Sequence, residues 1–355
     1  MDSEAHISPI QTIGIIGEGK MGSNLFYYLL EFGFVLRWIC SPEADLTKAR
    51  KNFQRKVDRL RNSGILSEED HHEVSDNTVI SSDICLLNDC DLVVEAIPEQ
   101  VGLKQDLFKK LDLILSPACI LATNSSSIKP SALCPSLKRT SHFIGLHFFY
   151  PVNLINIVEL ILTENCTVLT RTRITEFLYH IKRKYLELNE KNGFILNRIF
   201  LDVQNEAFLI VHNQHISVRN IDLLVREQLF PSGIFEFFDS VGIDTILAST
   251  LNYVEDYPHK DYYAPLINRL QQMFSQGNLG RKSSVGFYNY HQTSGETESS
   301  ETPILQINGK EIVDHLRFTY LSTVRRFTAR SGLPISEINE AVKEYFGIEK
   351  GPFEI

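Results

Sequence analysis

Hydrophobic positions along this chain follow two rhythms. Up to residue 148, short runs of unbroken apolar character alternate with longer stretches in which apolar residues recur every three or four positions. TIGIIG, from Thr12, precedes NLFYYLLEFG. FVLRWI precedes a charged, helix-patterned stretch from Asp45 to Leu66. CDLVVEAI at 90–97, CILAT at 119–123 and HFIGLHF at 142–148 continue the series. Short β-branched runs apolar on both faces are the mark of strands covered on both sides, and the periodic stretches between them are the covering helices. The pattern predicts an α/β fold built on a doubly wound, mostly parallel sheet. Past NEKNG (189–193) the strand signals fade and long helical patterns such as FILNRIFLDVQNEAFLIVHN take over, which predicts an all-α domain.

A second break is compositional. HQTSGETESSET, residues 291–302, is polar, acidic and aperiodic, and reads as a linker. Beyond it, ISEINEAVKEYFGIEKGPFEI (335–355) repeats the order seen in ISVRNIDLLVREQLFPSGIFEF (216–237): Ile-Ser, a helix with an acidic or Asn start, then Gly-x-Phe-Glu. This reads as a partial second helical copy. The expected domains are therefore 1–190, 191–290, a linker over 291–302, and a short helical C-terminal repeat over 303–355.

Two places in this frame carry chemistry. IGLHFFYPVNLINIVELI (144–161) sets one histidine among aromatics and interrupts an apolar run with one glutamate, Glu159. A buried carboxylate costs several kcal/mol without a partner, and His147 is the natural one. Earlier, Gly17, Glu18, Gly19, Lys20, Met21 and Gly22 follow directly on the first strand and open the first helix. In that strand-to-helix context G-x-G-x-x-G favours a dinucleotide over a merely flexible turn, with helix amides facing the pyrophosphate. The acid expected at the end of the second strand is missing, because Cys40 stands there. Without it a 2′-phosphate is not repelled, so NADP(H) is a close alternative to NAD(H), with Arg37, Ser41 or Lys48 to assist it.

Composition narrows the partners. With 44 acidic against 35 basic residues and a net charge of -9, the chain's balance argues against nucleic acid or a membrane surface as partner, with local basic patches still possible. Six scattered cysteines without Cys-x-x-Cys spacing indicate neither a metal site nor a disulfide framework. No basic-then-apolar leader and no run near the ~18 residues of a bilayer span is present, so a cytoplasmic protein is expected.

Taken in order, GEGKMG (17–22), LVVEAIPE (92–99), TNSSSI (123–128), GLHFFYP (145–151), IVELI (157–161), NGFILNRI (192–199), PSGIFEFFDSVGID (231–244) and GRKSSVGFYNY (280–290) make the chain resemble the 3-hydroxyacyl-CoA dehydrogenase family over residues 10–290. The resemblance implies a Rossmann-like cofactor domain, NAD(H) somewhat ahead of NADP(H), an acyl-CoA substrate, a place in fatty acid metabolism and a homodimer. His147 and Glu159 match the catalytic dyad. Ser126 matches the serine that bonds the substrate oxygen beside the nicotinamide, and Asn197 the asparagine that positions the thioester end. Glu99 and Lys104 match residues lining the cofactor site, and Lys282 a lysine reaching it. The second helical copy is expected to cover the first, weakening or replacing the dimer contact.

Departures from the family pattern keep alternatives open. Tyr150 stands where HFFNP has asparagine, in the substrate pocket. Asn192, Val285 and Ile234 depart from PGF, from the glycine before GFY and from GPFE. The basic stretch Lys51, Arg55, Lys56 and Arg59 offers charge for coenzyme A without a clear match. A dehydrogenase of a free hydroxy acid, and a catalytically impaired nucleotide-binding homologue, both remain compatible with Tyr150 and Cys40.

Overall fold

The N-terminal unit, Met1–Gly193, is a single eight-stranded sheet with helices on both faces. Its strands are β1 (Thr12–Ile16), β2 (Val35–Ile39), β3 (Val79–Ser81), β4 (Leu92–Glu95), β5 (Ile120–Thr123), β6 (Phe143–Phe148), β7 (Ile157–Leu162) and β8 (Lys184–Asn189). They lie in the order β3-β2-β1-β4-β5-β6-β7-β8, and every neighbouring pair is parallel except β6 and β7. The helices are α1 (Lys20–Leu29), α2 (Leu46–Asn62), α3 (Glu68–Asn77), α4 (Val101–Ile114), α5 (Pro130–Leu133) and α6 (Val168–His180). The structure is a computed structural model that describes residues 8–135, 137–190, 194–255, 257, 259–291 and 308–354.

Alternation along the strands divides the core. Ile13, Ile15, Leu92 and Val94 pack with Phe26 of α1, Val57 of α2 and Phe177 of α6, while Val93, Leu121 and Phe143 pack with Phe108 and Leu111 of α4. Both faces are thereby covered, which is why the runs carry no polar alternation. Phe26 and Trp38 stack with centroids 4.4 Å apart, joining α1 to β2. The pattern did not announce the two edge strands. β3 has three residues, and β8 buries only alternate side chains, so neither makes an unbroken apolar run.

The C-terminal unit, Phe194–Ile355, is helical: α7 (Ile195–Gln214), α8 (Val218–Gln228), α9 (Ile234–Val241), α10 (Ile243–Val254), α11 (Ala264–Ser275), α12 (Gly309–Ser331) and α13 (Ile335–Phe346). Helix α12 packs along α7, and polar bonds tie the two. Asp202 of α7 accepts from Thr323 Oγ1 at 2.7 Å and pairs with Arg326, while His315 Nε2 meets Glu206 Oε2 at 2.7 Å. Phe346 stacks on Phe230 at 4.7 Å. The acidic linker expected at 291–302 lies, beyond His291, outside the described residues.

One kind of turn recurs in this unit. Asp222 of α8 accepts the amides of Phe235 and Glu236, each at 2.9 Å, and a Cβ on Gly233 would collide with its carboxylate. Asn339 of α13 likewise accepts the Phe353 amide at 3.0 Å, with Gly351 packed as closely against its side chain. A carboxylate offers two acceptor oxygens and a carboxamide one. Accordingly the Glu354 amide turns to the Gly351 carbonyl instead.

Candidate active site

Strand register makes the central pair. In the antiparallel β6 and β7, His147 lies directly opposite Glu159, so both side chains leave the same face of the sheet as neighbours. Nδ1 of His147 is 2.8 Å from Glu159 Oε2, and the residues are 4% and 0% exposed. A carboxylate this buried holds Nδ1 as the protonated nitrogen, which leaves Nε2 as the nitrogen directed away from it. The Phe149 ring lies 4.3 Å from the imidazole. The turn after β6 is pinned from two sides: Val152 N–H donates to Asn24 Oδ1 of α1 at 2.6 Å, and Arg183 Nη2 donates to the Val152 carbonyl at 2.6 Å. Tyr150, in the same turn and preceding a cis Pro151, is 53% exposed.

Ser126 follows the adjacent strand. Thr123 at the end of β5 pairs with Gly145 of β6, so the residues just past β5 and the last residues of β6 share one edge of the sheet. Asn124 Oδ1 accepts the Phe148 amide at 2.9 Å, locking the two strand ends together. The serine turn that follows wraps around Glu99. Its Oε1 accepts the amides of Ser126 and Ser127 at 3.1 and 3.0 Å and the hydroxyls of Ser125 and Ser127 at 2.5 and 2.8 Å. Burial pulls the Glu99 carboxyl upward, but the Lys104 ammonium and these serine bonds outweigh it and hold the group below the ordinary glutamate range.

Behind Glu99 lies an ionic cluster that the motifs did not disclose. Lys104, 1% exposed, donates to Glu95 Oε1 at 2.5 Å and to the Ile97 carbonyl at 3.2 Å, and stands 3.3 Å from Glu99 Oε2. Glu95 is 0% exposed and also accepts from Thr123 Oγ1 and the Ile97 amide, each at 2.7 Å. Lys104 therefore acts on the serine turn from beneath, through Glu99. The signal for Glu95 was present in LVVEAI, an acid ending an apolar strand, the same anomaly that exposed Glu159.

The glycine loop opens beside these strand ends. The order of the sheet reverses at β1, which has β2 on one side and β4 on the other, so the loop lies at a topological switch point. Gly17, at φ 114°, abuts the Ala96 carbonyl, and a Cβ on Gly22 would lie 2.1 Å from the Gly17 carbonyl oxygen. These two glycines make the close packing possible. At Gly19, by contrast, a Cβ would meet no atom within 4 Å, and no side chain caps the N-terminus of α1. Open space in front of uncapped helix amides is a cradle for a phosphate. Glu18 and Cys40 lie next to it, with the Glu18 carboxylate bonded to Ser41 and the Cys40 side chain buried.

In the helical unit Asn197 lies in the first turn of α7. It donates from Nδ2 to the Tyr253 hydroxyl at 3.0 Å and accepts at Oδ1 from the Tyr345 hydroxyl of α13 at 2.9 Å. Lys282 pairs with Asp244. Among the described residues no helix is long and apolar enough to cross a membrane, and no group of three or more His, Cys, Asp and Glu residues is placed to hold a metal ion.

Comparison with known proteins decides the affiliation. The model of the 3-hydroxyacyl-CoA dehydrogenase NAD binding domain matches residues 12–191, and that of the C-terminal domain matches residues 193–290. The chain belongs to the 3-hydroxyacyl-CoA dehydrogenase family. A probable 3-hydroxybutyryl-CoA dehydrogenase of Deinococcus radiodurans is 33% identical over 278 residues, covering 78% of this chain and 99% of the relative. The solved 3-hydroxybutyryl-CoA dehydrogenase of Escherichia coli matches with a TM-score of 0.80 over 97% of this chain and 90% of its own, and at 18% identity it shows the fold alone. A solved diketoreductase, described as acting on dicarbonyl compounds, is 27% identical with a TM-score of 0.64, covering 80% of this chain and all of its own.

As a member of the 3-hydroxyacyl-CoA dehydrogenase family this chain is an NAD-dependent oxidoreductase. Its residues fit that cofactor: the space at Gly19 and the uncapped α1 amides accept a pyrophosphate, and the serine turn at 125–127 borders the same sheet edge. For this family the Rossmann-like sheet followed by helices is the expected architecture, and both are present.

Proposed function

We propose that the chain interconverts 3-hydroxyacyl-CoA and 3-oxoacyl-CoA, with His147 and Glu159 as its proton-transfer pair. The observation that carries this reading is the direct opposition of the two residues across β6 and β7, with Nδ1 and Oε2 2.8 Å apart in a buried setting. NAD supplies the hydride acceptor, or NADH the donor, at the carbon bearing the oxygen. His147 Nε2 takes the hydroxyl proton during oxidation and returns it during reduction, while Glu159 keeps the ring in one tautomer and stabilises the imidazolium. Ser126 donates a hydrogen bond to the substrate oxygen from a turn set by Glu99, and Asn197, in the helical unit, is the residue that the family resemblance assigns to the thioester end.

A second reading, oxidation or reduction of a free hydroxy or oxo acid without coenzyme A, draws on Tyr150 and on the similarity to the diketoreductase. This reading requires the Tyr150 phenol, in place of a small amide, to fill the side of the pocket that a thioester would use. Beyond chemistry, a cytoplasmic location fits the six free thiols, and an acyl-CoA substrate fits a role in fatty acid metabolism. The C-terminal helices act as a partial second copy, standing where a dimer partner would otherwise pack.

Purified protein with NADH and either acetoacetyl-CoA or free acetoacetate, followed by nucleotide absorbance, separates the readings. Turnover of the thioester, abolished in His147→Ala with NADH binding retained, is the expected result. Turnover of free acetoacetate alone favours the second reading. No turnover of either, by the wild type or by Tyr150→Asn, overturns both.

A further inference from the structure

The end of β2 lacks the acid that a dinucleotide site uses to hold the adenosine ribose, and Cys40 cannot replace it. Burial, and next to it the Glu18 carboxylate, push the Cys40 thiol up to about 11, so at neutral pH it is uncharged. A carboxylate nevertheless arrives at this position from across the strand. Glu18 lies between the first two glycines of the loop after β1, and β1 pairs with β2 so that Ile16 faces Ile39. From there the Glu18 side chain spans to the residue after Cys40: its Oε2 accepts from the Ser41 amide at 2.9 Å and its Oε1 from the Ser41 hydroxyl at 2.7 Å. Partial burial works against its ionisation, but the Ser41 bonds outweigh that and hold the carboxyl below its ordinary range.

We propose that Glu18, anchored by Ser41, is the cofactor-specificity residue of this chain, supplying from the glycine loop the ribose-binding carboxylate that β2 does not carry and thereby selecting NAD(H) against NADP(H). A carboxylate has about four acceptor sites, so beyond its bonds to Ser41 and to its own amide it keeps capacity for a ribose hydroxyl. A 2′-phosphate at the same place brings negative charge and acceptors against an ionised acceptor-only group, which is repulsive. Two of the groups that would welcome a phosphate are otherwise engaged. Ser41 is bonded to Glu18 itself, and Arg37 donates to the Asn77 carbonyl at 3.1 Å and to Asp89 at 3.2 Å. The acid of this site is thus displaced by one strand rather than lost.

The test needs no acyl substrate, so it stands apart from the reading of the reaction. The chain's single tryptophan, Trp38, donates from its ring to the Gly17 carbonyl at 2.9 Å and reports on the loop. Titration of the full chain with NADH and with NADPH, followed by Trp38 fluorescence and checked by calorimetry, is expected to show clear preference for NADH. Removing one charge-assisted contact, Glu18→Gln lowers the NADH-to-NADPH affinity ratio by roughly tenfold to a hundredfold, partly by strengthening NADPH. Ser41→Ala, which removes the hydroxyl bond to Oε1 and leaves the amide bond to Oε2, lowers the ratio less. A wild type that prefers NADPH, binds the two equally or binds neither overturns the proposal, as does an unchanged ratio in folded Glu18→Gln. Should Glu18→Gln fail to fold, an unchanged ratio in Ser41→Ala overturns it equally.

Discussion

Asn197 and Tyr345 lie 148 residues apart in the chain and are joined by a 2.9 Å hydrogen bond, phenol to carboxamide. Through it α13 fixes the side chain of Asn197 at the start of α7, the residue proposed to meet the substrate. Residues beyond 290 lie outside the two family domains, so this bond is an addition of the C-terminal helices.

Tyr345→Phe removes the donor to Asn197 and keeps the ring packing. With one neutral hydrogen bond contributing about 1 kcal/mol, KM for the acyl substrate should rise roughly fivefold, with a smaller change in kcat. Steady-state kinetics beside Asn197→Ala checks it. A severe Asn197→Ala defect with an unaltered Tyr345→Phe enzyme would mean that α13 plays no part in positioning.

Glu159→Gln keeps the size of the side chain but withdraws the charge that stabilises an imidazolium. We expect kcat to fall about 10²- to 10⁴-fold with NADH affinity unaffected, and the pH dependence of the remaining rate to change shape. Single-turnover measurements across pH would show it. Full activity in the variant would remove Glu159 from the mechanism.

Lys104→Met leaves Glu95 and Glu99 without their shared cation in a buried setting. Removing one member of such a group costs about 3–5 kcal/mol. Denaturant unfolding followed by Trp38 fluorescence reads this in the N-terminal unit, and a loss below about 1 kcal/mol would show the cluster to be better solvated than its burial implies.

Glu99 sets the sign of a pH effect. Its carboxyl is held below the ordinary value, so its contribution to stability is complete above about pH 4.3 and is lost as pH falls through the depressed folded value. Glu99→Gln should therefore lower stability at neutral pH and flatten its decline on the acid side. Unfolding midpoints between pH 3 and 7 are the measurement, and parallel curves for both proteins would contradict it.

The alternation of apolar runs and helical patterns was enough to place β1, β2, β4, β5 and β6 with helices α1 and α2, because each is specified by periodicity within a few residues. The pair His147 and Glu159 was legible for a related reason: a charge in an apolar run announces a cost, and its partner lay one tight reversal away. Glu95 announced itself equally but not its partner, since Lys104 comes from the next helix and only its burial reveals the pairing.

What the sequence by itself determined is the class of fold, the glycine loop and the opposed pair His147 and Glu159, all local patterns or single reversals. Only the tertiary structure decided that the carboxylate of Glu18 reaches the end of β2 through Ser41, that Lys104 serves Glu99 from below, and that Tyr345 holds Asn197. Composition cannot select among many possible polar partners. A buried hydrogen bond has strict length and angle requirements, and only the packed strands and helices determine which donor and acceptor come within reach.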